Sequence, residues 1–182
     1  MKATKTKENA LRRTRGVALL AALLLGAAGC GSPEAFKVSE ACGTEFDPEL
    51  IGRLLPEGDD LKSDDAFSEP KQFRCEFAVD GREQVGLRGD IVEPFVKPLE
   101  VKESVMLRLG NPAPAEIGDG ATIADHGGMA LKACTYNGEK MQYVLSIDSV
   151  EDPKDTAERR RVLEEFLRSQ LPVAMEAGGC RP

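Results

Sequence analysis

Two segments of the chain alternate apolar and polar residues, and each runs into a dipeptide that favours a tight hairpin turn. Residues 73–79 lead to Asp80-Gly81, and Ala130–Tyr136 leads to Asn137-Gly138. A two-residue type I′ turn needs positive φ at both central positions, which these dipeptides adopt with little strain. A second alternating segment follows each turn. The sequence therefore predicts two antiparallel hairpins, which join their strands without the crossover helix that a parallel sheet requires.

The first strand of each predicted hairpin carries a cysteine, Cys75 in one and Cys134 in the other. Duplication of a half-domain would explain this likeness. Convergence on favourable hairpin chemistry would explain it equally well, because the matched stretch is short. The sequence leaves both explanations open.

Two helices are predicted at the two ends of the folded part. Asp47 is placed to cap a short helix that begins at Pro48 and stops at Pro56. Asp155 is placed to cap a longer amphipathic helix that runs to about Leu171. Each helix has an apolar stripe, so each needs a surface to pack against.

Between the hairpins, apolar residues at positions 101, 105, 107 and 109 predict a further strand. The acidic residues 57–65 are predicted to form a solvated loop. With helices at the ends and antiparallel strands between them, the sequence predicts the α+β class. We expect a sheet of about five to six strands, with the short N-terminal helix and the longer C-terminal helix packed on one face.

The start of the chain has the pattern of an export signal. Six of the first fifteen residues are basic, and an uncharged apolar run follows over residues 17–28. This run is too short for a helix that spans a bilayer, which needs about 20 residues. We therefore predict that residues 1–29 are a cleaved signal peptide rather than a retained membrane span.

The small residues Ala27-Ala28-Gly29 stand directly before Cys30. This end of the leader resembles the lipobox of bacterial lipoprotein signal peptides. The resemblance implies cleavage before Cys30 and attachment of acyl chains, such as palmitate, to that residue. Residues 30–41 would then be a short lipidated tether, and residues 42–182 a single exported domain on the extracytoplasmic face of the cell membrane. An ordinary cleaved signal with an incidental cysteine is the alternative.

Without the leader, the chain has 18 basic and 30 acidic residues and a formal charge of −12. Such a surface repels nucleic acid and anionic lipid headgroups. We therefore expect no nucleic-acid partner. Contact with the membrane is expected to come from the lipid on Cys30, since two acyl chains anchor a protein far more stably than one.

Four further cysteines, Cys42, Cys75, Cys134 and Cys180, lie in the predicted exported part. An even number of cysteines in an exported domain indicates two disulfides. Four cysteines allow three pairings, and the sequence does not choose among them. We favour Cys42 with Cys75 and Cys134 with Cys180, since each bridge would then join a strand to a neighbouring helical segment. Zinc binding is disfavoured because no two cysteines are close in sequence and His126 is not paired with any of them.

The sequence carries no nucleotide-binding or hydrolase motif that would assign an enzymatic activity. The neighbours Asp125 and His126 could place an acid beside a general base, but no serine or cysteine nucleophile lies near them in sequence. We therefore predict no catalytic residue, no metal and no cofactor, and we expect a protein that is not an enzyme.

Four features in a fixed order carry a family resemblance. They are Cys42 shortly before the helix with Glu49-Leu50, Cys75 in a Cys-x-aromatic motif, Gly118-Asp119-Gly120-Ala121 before the strand with Cys134, and the closing amphipathic helix. The order resembles a group of actinobacterial cell-envelope lipoproteins whose exported domain carries two disulfides. The resemblance covers most of residues 40–175, and it implies an address in the envelope and a pattern of bridges.

On these grounds we expect a membrane-anchored, non-enzymatic binding or interaction domain. Its partner would be an envelope protein or a small ligand, and a groove beside the sheet would be its site. One alternative is an envelope enzyme, or an accessory subunit of one, that uses His126 or an acidic pair. A small solute-binding lipoprotein is another.

Overall fold

The computed structural model of the protein describes residues 35–64 and 71–182. The predicted signal peptide and the predicted anchor Cys30 lie outside the described residues. The described residues belong to one unit of the chain, residues 32–182. Within the described ranges, none of the helices has both the length and the apolar character that a membrane span requires.

Nine strands and four helices make up the described part. The strands are β1 Glu40–Ala41, β2 Thr44–Glu45, β3 Leu61–Asp64, β4 Gln72–Val79, β5 Arg82–Val92, β6 Ala113–Ala115, β7 Gly120–Ile123, β8 Gly128–Tyr136 and β9 Glu139–Asp148. The helices are α1 Pro48–Leu54, α2 Pro98–Val101, α3 Glu103–Arg108 and α4 Thr156–Ala177.

Seven of the strands form one antiparallel sheet in the order β3-β4-β5-β9-β8-β7-β6, and β1 pairs with β2 in a small second sheet. This arrangement confirms the predicted α+β class. The main sheet has seven strands rather than the predicted five to six, because three short strands at its edges have little periodic signal of their own. The two long hairpins lie side by side at its centre, where β5 pairs with β9.

The hairpin turns have the predicted geometry. Asp80 and Gly81 have φ of 51° and 74°, and Asn137 and Gly138 have φ of 50° and 85°. Positive φ at both positions is the signature of the type I′ turn, whose twist matches that of the flanking strands. Each dipeptide therefore sets the pairing of the strand residues next to its own turn.

Both predicted helix caps are present. The Asp47 carboxylate accepts hydrogen bonds from the backbone N–H groups of Glu49 and Leu50 at the start of α1. The Asp155 carboxylate accepts from the N–H group of Glu158 at the start of α4. The long helix continues six residues beyond the predicted end, to Ala177, because packing of its last turns outweighs the helix-breaking tendency of Pro172.

Helices α1 and α4 pack on one face of the sheet, as predicted, and enclose the main core. Phe46 links the two layers: its ring meets Phe77 of β4 edge-on at 5.6 Å and stacks on Phe166 of α4 at 6.4 Å. Aromatic pairs in these geometries stabilise a core beyond the area that they bury. Large aromatic side chains therefore fill the core between β4 and α4.

The predicted strand over residues 101–109 is wrong, since this segment forms α2 and α3. Val101, Val105 and Leu109 fit a spacing of two and a spacing of four equally well. Leu107 fits only the strand pattern, and it is 59% exposed. Helix α3 instead buries Met106, and Pro98 occupies the first position of α2, where its missing N–H is tolerated.

Helix α3 covers the face of the sheet opposite to α4. Met106 packs in a second small core with Met129 of β8 and Val144 of β9. Successive residues of a strand point to opposite faces, and the next residue, Leu145, belongs to the main core. The sheet therefore has helices on both faces, which the prediction of helices on one face missed.

Residues 57–65 were predicted to be a loop, but Leu61–Asp64 is an edge strand paired with β4. The preceding turn is held by Asp80, whose carboxylate accepts hydrogen bonds from the N–H groups of Asp59 and Asp60. Backbone pairing at an edge needs little apolar character, so the acidic composition concealed the strand.

Two disulfides join the described cysteines, Cys42 to Cys75 and Cys134 to Cys180, with Cα atoms 5.7 and 5.5 Å apart. This is the pairing that the sequence analysis favours. The first bridge ties β4 to the turn between β1 and β2 rather than to a helix, which corrects the reason given for it. The second ties β8 to the residues that follow α4.

Candidate ligand-binding groove

An open groove of about 560 Å³ lies between α3 and the face of the sheet that α3 covers. We call it the α3 groove. Its volume falls within the range of about 300–1,000 Å³ that is typical of pockets for small ligands. The residues that define it are Arg88, Asp90, Lys102, Val105, Met129, Val144 and Asp148.

One side of the α3 groove is apolar. Val105, Met106 and Leu109 line it from the helix, at the three- and four-residue spacings that place side chains on one helical face. Met129 and Val144 line it from the sheet. The thioethers of the two methionines adapt easily to the shape of a bound apolar group.

The other side of the α3 groove is polar, because β5 places charged residues at alternate positions. Arg88 lies opposite Ser146 of β9, and Asp90 lies opposite Val144. The even-numbered residues of β5 point toward α3, since Leu87 and Ile91 point into the main core. Apolar and charged surfaces therefore meet along a single strand pair.

The pKa of Asp90, a carboxyl group of the α3 groove, is shifted by its surroundings. Burial raises its pKa, although the positive charges of Arg88, Lys102 and Arg74 oppose the shift. Removal from water thus outweighs the attraction of three nearby cations. The polar side of the groove is therefore partly dehydrated, and charges act more strongly there than on an open surface.

Two arginines of this face oppose each other directly. Arg74 of β4 is the cross-strand partner of Arg88 of β5. Among the described residues, neither guanidinium group has an ion-pair or hydrogen-bond partner. Like charges directly opposite each other destabilise a strand pair, so an anion that bridged this face would relieve the repulsion.

The charge of the α3 groove differs from that of the chain as a whole. Lys71, Arg88 and Lys102 line the groove, against the two carboxylates of Asp90 and Asp148. A local excess of positive charge is notable in a chain with a formal charge of −7. Electrostatic attraction at the groove therefore favours a negatively charged group.

Comparison of the chain with family models, curated proteins and solved structures found no match. The chemistry of the α3 groove is accordingly inferred from its own residues. The apolar side chains of Val96 and Val101 also line the groove, and Val101 is 66% exposed. Together with the apolar side they favour a ligand that has an apolar part as well as a charged one.

His126, the residue of the alternative enzyme hypothesis, lies on the loop between β7 and β8. Its Nδ1 atom is 3.0 Å from the carbonyl oxygen of Val150 and 3.3 Å from a carboxylate oxygen of Glu151. The neighbouring Asp125 is engaged elsewhere, by Asn111 at 2.6 Å and Arg160 at 2.9 Å. The loop does not bring carboxylates together around the imidazole.

The hydrogen bond from Asn111 is the main cause of a lowered pKa at Asp125, and Arg160 acts in the same direction. Asp125 therefore stays ionised and fixes the loop. Within the described ranges, no group of three or more His, Cys, Asp or Glu side chains could hold a metal ion.

Two arginines of α4 hold the loops at this end of the sheet. Arg159 is only 4% exposed and donates to the backbone carbonyls of Asp125, Glu151 and Pro153. Arg160 donates to the carbonyl of Ile123 as well as to Asp125. The amphipathic pattern of the sequence does not distinguish these arginines from exposed ones.

The sequence led us to expect a binding site in a groove beside the sheet, and it named no residues for that site. Arg74, Arg88 and Asp90 alternate with core residues, a pattern that in sequence is the same as that of the solvent side of a half-buried strand. One signal was present in the sequence. Val144 lies between Tyr143 and Leu145 of β9, at a position where strict alternation of apolar and polar residues would place a polar one. An apolar residue on the supposed solvent face indicates that something covers it.

Proposed function

We propose that the protein is an exported, lipid-anchored lipoprotein that acts by binding rather than by catalysis. We further propose that the α3 groove holds an amphiphile with a single acyl chain and one anionic head. The observation that carries this proposal is the meeting, in one groove, of an apolar side with Arg88, whose guanidinium group has no hydrogen-bond or ion-pair partner among the described residues. The anchor is Cys30, at the end of the leader.

Three features support the proposed export and lipid anchoring. The leader has a basic start, a short apolar run and small residues directly before Cys30. The two disulfides fit a domain that folds outside the cytoplasm. The acidic composition disfavours attachment to anionic lipid by charge, so the acyl chains on Cys30 would provide the attachment.

The ligand class follows from the two sides of the groove. Each methylene buried against Val105, Met106 and Val144 would contribute about 0.8 kcal/mol. The head would lie near Arg88, where a hydrogen bond between charged groups adds about 1.5–3 kcal/mol. Neither an uncharged chain nor a bare anion would use both sides.

Mass spectrometry of the protein extracted from membranes tests the proposed lipid anchor at Cys30. The expected N-terminal fragment begins at Cys30 and carries acyl chains, and the Cys30→Ser variant leaves the membrane fraction. Recovery of an unmodified Cys30, or of protein cleaved upstream of Ala28, would refute the anchor. This result is independent of what the groove binds.

Calorimetric titration of the secreted Cys30→Ser protein tests the ligand. Dodecanoate is expected to bind at least tenfold more tightly than dodecanol, which has the same chain without the charge. Dodecyl phosphate distinguishes a preference for carboxylates from a general preference for anions. In Arg88→Met the preference for dodecanoate should disappear, whereas Arg82→Met, at the exposed hairpin end of the same strand, should retain it.

Equal binding of dodecanoate and dodecanol to the unmodified groove would refute the anionic head. Absence of binding by all three compounds would refute the groove as the site. The apolar side of the α3 groove is tested separately. Val105→Asp should weaken the binding of both dodecanoate and dodecanol, since it places a carboxylate against the hydrocarbon chain.

A further inference from the structure

Two hydroxyl groups are buried without a partner on the α4 side of the sheet. Tyr143 is 2% exposed and Thr44 is 5% exposed, and among the described residues neither hydroxyl has a hydrogen-bond partner. An unsatisfied buried hydroxyl is destabilising, and native proteins leave few of them. Two such groups at one place require an explanation.

Both residues line the same cavity, of about 330 Å³, which we call the Tyr143 cavity. Phe73, Ile91 and Ala174 form apolar walls, and Lys71 with Gln72 lies at the exposed side. The Tyr143 cavity therefore combines an apolar interior with two hydroxyl groups that have no protein partner.

Glycine at position 89 makes room for the tyrosine. A Cβ atom built on Gly89 would overlap the Tyr143 hydroxyl, so a larger residue could not keep the ring where it is. Gly89 also lines the cavity. The hydroxyl of this core tyrosine thus lies against Gly89, a residue of the cavity wall.

We propose that the Tyr143 cavity binds an uncharged molecule with an apolar body and an oxygen that accepts hydrogen bonds, such as a ketone or an ester. The site lies on the face of the sheet toward α4, whereas the α3 groove lies on the opposite face. The proposal goes beyond the anchored, anion-binding function and does not depend on it.

The acceptor follows from the chemistry of the two hydroxyls. Burial, assisted by the negative charge of Asp90, raises the pKa of Tyr143, so the phenol keeps its proton and can donate. Thr44 carries a second donor. Lys71, the cation among the residues that line the cavity, is exposed. The interior therefore has no charge to balance an anion, which favours a neutral ligand.

The two tyrosines of the chain, in the absence of tryptophan, make a direct experiment practical. Protein labelled with ¹³C-tyrosine gives two sets of ring signals, which the Tyr136→Phe variant assigns. Titration with acetophenone is expected to shift the Tyr143 signals. Ethylbenzene, which has a similar shape but no acceptor, should bind about tenfold more weakly.

Variants separate hydrogen bonding from shape. Thr44→Val and Tyr143→Phe should each weaken the binding of acetophenone severalfold and leave the binding of ethylbenzene unchanged. In Tyr143→Phe, the methyl signals of Ile91 replace the tyrosine signals as the readout. Arg88→Met, in the α3 groove, should leave acetophenone binding unchanged. A failure of ligand binding in the Tyr143 cavity is therefore distinguishable from a failure of anion binding in the α3 groove.

Three results would overturn the proposal. They are the absence of any shift at Tyr143, equal affinity for acetophenone and ethylbenzene, and a crystal structure of protein soaked with acetophenone in which only water meets the two hydroxyls. Because Thr44 and Tyr143 are tested separately, loss of folding in one variant leaves the other measurement decisive.

Discussion

Replacement of Arg159 by methionine tests whether this buried cation organises the loops at the end of the sheet. Methionine keeps much of the apolar stem and removes the guanidinium group. The carbonyl groups of Asp125, Glu151 and Pro153, now 2.6, 3.1 and 2.7 Å from its nitrogens, would lose a donor.

The expected loss of stability follows from these three acceptors. A buried acceptor without a partner costs about 1–3 kcal/mol. At the lower end of that range, three acceptors give a loss of about 3 kcal/mol, because relief of the buried charge offsets part of the penalty. For a domain of this size such a loss lowers Tm by about 6–12 °C.

Urea unfolding, followed by far-ultraviolet circular dichroism, measures the change in the free energy of unfolding. Arg161→Met on the same helix is the matched control. Arg161 is 57% exposed and pairs with Glu165 at 2.9 Å, so its loss should change stability by less than about 1 kcal/mol. If the two variants unfold at the same urea concentration, the hydrogen bonds of Arg159 contribute no more than a surface pair.

Three further predictions concern stability. Replacing Cys134 and Cys180 by serine should remove about 2–5 kcal/mol, measured as a lower Tm without reductant. Gly89→Ala should lose about 1–3 kcal/mol in urea unfolding, since its methyl group overlaps Tyr143. Burial raises the pKa of Asp90 above its ordinary 3.8, so this group favours folding below pH 3.8 and loses that contribution as pH rises through the folded pKa. The Asp90→Asn variant should therefore have a higher Tm than the wild type at pH 7 and the same Tm near pH 3.

Features that depend on neighbouring residues could be predicted from the sequence. Asp80-Gly81 and Asn137-Gly138 define their turns through backbone preferences that need no distant contact. Asp47 and Asp155 cap helices for the same reason. The central hairpins and both capped helices were therefore predictable, and with them the α+β class.

Features that depend on distant contacts could not be predicted. Val101, Val105 and Leu109 fit a helix and a strand equally well until packing of Met106 against the sheet selects the helix. Arg159 differs from its exposed neighbours only because loop carbonyls converge on it. The α3 groove was hidden for the same reason, since no local pattern shows that a short helix covers that face.

The bridge between Cys42 and Cys75 also determines how the domain would respond to a pulling force. A load applied from the N-terminal side would enter the described chain at residue 35 and reach Cys42 after a short hairpin strand. From there the covalent bond transfers it to β4, inside the seven-stranded sheet. Helix α1 and the edge strand β3, which lie between the two cysteines in sequence, would be shielded from that load. A domain held at its N-terminus would thus resist being peeled apart strand by strand from the end at which it is pulled.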